Sequence, residues 1–254
     1  MKIFDYLRNI YSGEKSLSNH ISLFLLCGIM TLCLNQKVSS VLSNLTGGFW
    51  GYPSRNEFFI YGCFVAGIVL MIYLAGYLYE NVSNFFDGRH EMCDVTLSAF
   101  IAFVKMLPLF LLWGLFYTVL AAVGFTAFDT DSLLFYIYFA IIFCLPPFIS
   151  IIYVLYAQNF EYKIEFFHPA FLFTVIKKCL GDIIYLFFEI IILSVIPVII
   201  LYFIFKSSLF IQSTHLQLIV RLAGLCIIVY LCNVFSLVYF MRLIDIAKDK
   251  FGSN

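Results

Sequence analysis

Six long stretches of this chain are almost free of charge, and most are about as long as a bilayer-crossing helix. They fall at about 21–34, 58–79, 106–124, 132–157, 181–205 and 216–241. A helix needs roughly 20 apolar residues to cross a hydrocarbon core of ~30 Å. Five stretches meet that length. The first stops at Asn35-Gln36-Lys37 and spans only if Val38, Val41, Leu42 and Leu45 continue it; a tilted or re-entrant segment is the alternative. Inside lipid each backbone polar group must be satisfied within its own segment, which a helix does. The expected fold class is therefore all-α. It is a polytopic helical bundle forming a single transmembrane domain over residues 1–254, with helices at about 21–45, 58–79, 106–124, 132–157, 181–205 and 216–241.

Composition agrees with lipid as the solvent. Charged residues are 12% of the chain, about half the share usual in soluble domains. Zero formal net charge argues against a nucleic-acid partner held by phosphate contacts. The eight cysteines form no C-x-x-C pair, and most sit inside apolar runs, where they read as packing residues. The N-terminus opens with a charged amphipathic stretch rather than a cleavable leader, so the first apolar run is expected to persist. The Asn44-Leu45-Thr46 sequon bears on topology only in a secretory pathway.

Lysine and arginine set the expected orientation. One side of a six-span arrangement collects Lys2, Arg8, Lys15, Arg89, Lys105, Lys163, Lys177, Lys178, Arg242, Lys248 and Lys250. The other has Lys37, Arg55, Lys206 and Arg221. Eleven against four places both termini in the cytoplasm.

Two terminal segments are amphipathic. Ile3, Phe4, Leu7, Ile10 and Tyr11 share one helical face, as do Phe240, Leu243, Ile244, Ala247 and Phe251. Each stripe fits a helix lying among lipid headgroups or one docked on the inner face of the bundle. A short pattern also recurs: Phe4-Asp5 with Asn9, Tyr11 and Gly13, then Tyr79-Glu80 with Asn84, Phe86 and Gly88. It hints at parallel repeats of an amphipathic segment followed by a helical hairpin.

The run Gly76-Tyr77-Leu78, then Asn84 and Gly88, then Phe103-Val104-Lys105 and Leu107-Pro108, has a recognisable order. It resembles the domain of unknown function family 4013, a group of multi-pass bacterial and archaeal membrane proteins. In that pattern Gly-Tyr closes the second helix, Asn and Gly occupy a cytoplasmic turn, and Lys with Leu-Pro opens the third helix. The resemblance covers about the central third of the chain and departs at His90-Glu91-Met92-Cys93-Asp94. It implies six membrane helices in a bacterial inner membrane and carries no activity.

Few residues invite chemistry. Glu189 is the one acid deep in a span, about 12 Å in from Gly181 at 1.5 Å per residue. Asn233 lies about 13.5 Å before Arg242. An ionised carboxylate at such depth costs several kcal/mol unless paired, so a Glu189–Asn233 hydrogen bond is expected. The pair serves either as interhelical glue or as a proton or cation site. Pro108, Pro146, Pro147 and Pro197 each remove a backbone hydrogen bond and mark expected helix breaks. His20, His90 and His168 stand where the odd-numbered helices begin, but without the carboxylate spacing of a metal motif. No metal or cofactor is therefore expected. Asp94, Lys105, Lys177, Lys178 and Asp182 gather at the inner boundary, either to receive an anionic lipid headgroup or to anchor the helices. Gly47-Gly48, followed by Phe49, Trp50 and Tyr52, reads as an interfacial turn.

The sequence-level expectation is a non-enzymatic multi-pass scaffold or accessory protein. Its partners would be the bilayer and another membrane protein, or anionic headgroups, at the cytoplasmic face. A small proton-coupled transporter or channel using Glu189 and Asn233 is the alternative, and a lipid-acting membrane enzyme a third.

Overall fold

The computed structural model describes residues 2–13, 15–35, 54–89, 91–208 and 214–252. The Gly47-Gly48 turn, the Asn44 sequon, the continuation of the first helix to residue 45 and His90 all lie outside the described residues. Those described form eight α-helices and one 3-10 turn. They are α1 (Lys2–Ser12), α2 (Ser16–Leu34), α3 (Ser54–Phe86), α4 (Ser98–Ala127), α5 (Leu133–Phe143), α6 (Pro146–Ala157), α7 (Pro169–Ser208) and α8 (Thr214–Phe251). The 3-10 turn, Ile164–Phe167, precedes α7. Six helical segments are long and apolar enough to cross a membrane: α2, most of α3, α4, α5 with α6, α7 and α8. The chain is an all-α, multi-pass membrane protein.

The helices outrun the apolar stretches that announce them. Hydropathy stops at the first cluster of charge, whereas the backbone ladder continues wherever charged side chains find partners. Helix α7 starts at Pro169, well ahead of residue 181, and carries Lys177 and Lys178 inside it. Lys178 Nζ lies 4.6 Å from the centre of the Phe251 ring, a cation–π contact. Helix α8 runs on to Phe251, with Lys248 Nζ donating to the Phe86 carbonyl at 2.8 Å.

Of the prolines among the described residues, only the adjacent pair interrupts a helix. Pro108 and Pro197 lie inside unbroken α4 and α7. A lone proline forfeits one hydrogen bond, and the turns on either side hold the helix together. Pro146 and Pro147 remove two successive donors. The chain resets there, with both prolines in the first turn of α6, where backbone N–H groups are free in any case.

The core is built from one stripe per helix. In α7 the buried positions Leu172, Val175, Cys179, Ile183, Leu186, Glu189 and Leu193 recur at three- and four-residue steps, while Phe173, Phe187, Phe188, Val198 and Phe203 face outward. A helix buried on one stripe and apolar all round has lipid on its remaining faces. Helices α7 and α8 run antiparallel: Asp182 meets Lys250, Glu189 meets Arg242, and Ile204 lies against Gly224. Gly76 permits the closest approach of α3 to α4, since a Cβ there would overlap the Ala99 carbonyl oxygen.

Both amphipathic termini are docked on protein. Tyr6 and Ile10 of α1 are buried, with Leu7 packed beside them. Leu243, Ile244 and Ala247 at the end of α8 are buried too. The Tyr6 hydroxyl donates to the Asp245 carboxylate, tying the first helix to the last. The other flank of the α1 stripe, Phe4 and Tyr11, stays exposed. We call this end of the bundle, where α1, the 87–97 connector and the C-terminal turns of α3 and α8 meet, the basal end.

Candidate functional site

Two polar regions stand out against the apolar body. The first lies between α7 and α8. Glu189 is only 3% exposed, and its Oε2 accepts from Arg242 Nε at 3.3 Å. Glu189 Oε1 has no hydrogen-bond partner among the described residues. Arg242 also lies near the Tyr6 hydroxyl, so the pair continues into the Tyr6–Asp245 contact of α1.

The expected Glu189–Asn233 hydrogen bond does not form. Asn233 donates instead to the Val229 carbonyl at 2.9 Å and toward the Cys27 sulfur at 3.5 Å. The reason is directional. Side chains lean toward the N-terminus of their own helix, so on antiparallel helices two residues at equal depth lean apart. Glu189 leans toward the basal end and Asn233 away from it. Arg242, two and a half turns nearer that end, leans inward and reaches Glu189.

The second region is a polar basin at the basal end, about 770 Å³ in volume. Its walls come from α1, the C-terminal turns of α3 and the connector that follows. Local chemistry shapes that connector. Gly88 has φ +81°, the left-handed conformation that glycine adopts at no steric cost. Arg89 N donates to Asn84 O at 3.1 Å and Gly88 N to Phe85 O at 3.2 Å, the paired bonds of a Schellman cap. The chain then folds back along α3. Tyr77 Oη donates to the Cys93 carbonyl at 2.8 Å, and Cys93 N donates to Asn81 Oδ1 at 2.8 Å. Asn84 donates to the Cys93 sulfur at 2.6 Å.

Burial pushes the Cys93 thiol up to about 12, chiefly by desolvation. Lys15 Nζ bonds Asp94 Oδ2 at 2.8 Å across the edge of the basin. That hydrogen bond holds the Asp94 carboxyl below its ordinary range and raises the lysine.

The family-like residues thus act locally. Gly76 sets the α3–α4 approach, while Tyr77, Asn84 and Gly88 hold the connector. The Lys105 carbonyl accepts from Tyr156 Oη at 2.8 Å, and its ammonium lies 5.0 Å from the Phe160 ring centre. Asn81, fully buried and bonded at both ends of its amide, escaped the sequence reading. Its position one turn after Tyr77, on the same face, is the signal that would have found it.

The expected boundary cluster separates into pairs, Asp94 with Lys15 and Asp182 with Lys250 at 3.3 Å. His20 takes a hydrogen bond with Tyr230 Oη at 2.8 Å and stacks on Tyr11. His168 Nδ1 accepts from Ala170 N. Among the described residues no three His, Cys, Asp or Glu side chains gather as a metal site. No protein-family model, no curated protein and no solved structure matches this chain.

Proposed function

We propose that this protein is a non-enzymatic scaffold or accessory factor of a bacterial inner membrane, with its basal end in the cytoplasm. The supporting observation is how α1 is held. Tyr6, Leu7 and Ile10 anchor it to the bundle, while Phe4, Asp5, Arg8 and Tyr11 are left facing outward. A short helix fixed on one side and aromatic with charge on the other suits a partner membrane protein or a lipid headgroup layer. The excess of Lys and Arg at this end supports the cytoplasmic assignment. The similarity of the Gly76–Pro108 run to the domain of unknown function family 4013 supports the bacterial setting.

Photo-crosslinking in native membranes tests the reading. A crosslinker at Arg8 should give a discrete protein adduct, whereas one at Leu115 on the exposed face of α4 should give lipid adducts alone. Identical products from both positions would refute it.

A proton-coupled transport role is the second reading. It is favoured by Glu189 Oε1, a buried carboxylate oxygen beside an arginine and without a hydrogen-bond partner among the described residues. On this reading Glu189→Gln abolishes a pH-dependent flux in liposomes while the protein stays folded. An unchanged flux in the variant removes it. Asn233 has no part in either version, since it packs on α2.

A further inference from the structure

The polar basin has a neighbour. An apolar groove of about 330 Å³ runs between α2, α3 and the start of α4, walled by Leu26, Leu70, Tyr73, Leu97 and Phe100. Basin and groove share Thr96. Tyr73 Oη donates to the Thr96 carbonyl at 2.8 Å, so the boundary between wet and dry surfaces is held in place by a buried tyrosine. All three helices of the groove are membrane-spanning segments, and Leu97 at its mouth is 78% exposed. A polar cavity joined to an apolar groove at one residue has the shape of an amphiphile.

The charges narrow the ligand further. Lys15 and Asp94 are spent on each other. Arg89, Glu91 and Glu80 remain on the basin walls. Glu80 Oε1 accepts from Ser98 Oγ, and its Oε2 has no hydrogen-bond partner among the described residues. One guanidinium beside two carboxylates suits a group carrying both a phosphate and an ammonium, and is poorly suited to a purely anionic headgroup. Among the described residues the walls of the basin include no aromatic ring. Quaternary ammonium is ordinarily held by aromatic faces, whereas a primary ammonium donates hydrogen bonds to carboxylates.

We propose that the basin and groove together form a binding site for a phospholipid with a primary-amine zwitterionic headgroup. The phosphate sits by Arg89, the ammonium by Glu91 and Glu80, and an acyl chain lies along Leu97 and Phe100.

The full chain, purified in detergent and exchanged into mixed micelles, is examined by native mass spectrometry. Phosphatidylethanolamine, phosphatidylcholine and phosphatidylglycerol are supplied at equal concentration. The wild type should retain phosphatidylethanolamine about tenfold over the other two, as a charge-assisted hydrogen bond predicts. Glu91→Gln, on the exposed rim, should erase the preference over phosphatidylcholine. Arg89→Gln should weaken retention of all three lipids. Leu97→Trp should reduce retention of phosphatidylethanolamine, while free phosphoethanolamine still protects Cys93 from thiol labelling. Each variant is compared with wild type by helical circular dichroism and elution volume, so that loss of fold is told apart from loss of the site. Equal retention of the three lipids, or a preference for phosphatidylglycerol, would overturn the proposal. So would unaltered selectivity in folded Glu91→Gln, or unaltered retention in folded Arg89→Gln.

Discussion

The molecule holds two ion pairs in opposite surroundings. Glu189 and Arg242 are 3% and 14% exposed between two membrane helices, at 3.3 Å. Lys15 and Asp94 are 68% and 50% exposed at the basal rim, at 2.8 Å. The shorter contact is the weaker determinant of structure. At the rim water solvates either ion nearly as well as its partner does, and salt screens the attraction. Between α7 and α8 no such substitute exists, so removing one ion strands the other. The connector beside the rim pair does not depend on it, because Tyr77, Asn81 and Asn84 hold Cys93 independently.

The largest expected effect is Arg242→Ala. It strands the Glu189 carboxylate and should cost about 3–5 kcal/mol in unfolding titrations in detergent. Glu189→Gln should cost less, because the Tyr6 hydroxyl still lies near the guanidinium; a larger loss than for Arg242→Ala would mean that the acid, not the base, is the stranded member.

Asn81→Ala comes next. It leaves the Cys93 N–H unpaired in a buried setting, at about 1–3 kcal/mol. It should also speed labelling of the Cys93 thiol, which burial otherwise keeps protonated. If labelling and unfolding both match the wild type, the connector is not anchored where we place it.

Lys15→Ala should be the mildest, with thermal unfolding near that of the wild type at neutral pH. The lowered Asp94 carboxyl stabilises the fold above its ordinary pKa of about 3.9, and that contribution is lost as pH falls through the lowered value. The raised lysine contributes below about 10.4 and loses its share as pH rises beyond it. The small difference between variant and wild type should therefore shrink in acid, in strong alkali and in concentrated salt. A difference that persists at high salt would place the pair in a drier setting than the rim.

How far the sequence could be read follows the range of each force. A run such as 181–205 has one stable reading in lipid, so the helices were legible, while their ends were not. Pro169 and Lys178 belong to α7 because of partners such as Phe251, distant in the sequence. That Glu189 lies within a long apolar helix was legible. Its partner was not, because counting ignores the direction in which side chains lean on antiparallel helices. Gly88 was legible as a turn glycine. The basin it helps to shape was not, since α1, α3 and the connector assemble it only after folding.

One link also orders events in time. The Tyr6–Asp245 hydrogen bond joins residues 239 apart. At synthesis rates of roughly 5–20 residues per second, α1 exists for on the order of tens of seconds before its anchor has been made. During that interval the side of α1 that carries Tyr6 lacks its cover from α8 and faces lipid or a chaperone. The closing of the first helix onto the last is then a maturation step. Until α8 is in place, a nascent chain offers the membrane surface a side of α1 that the finished protein buries.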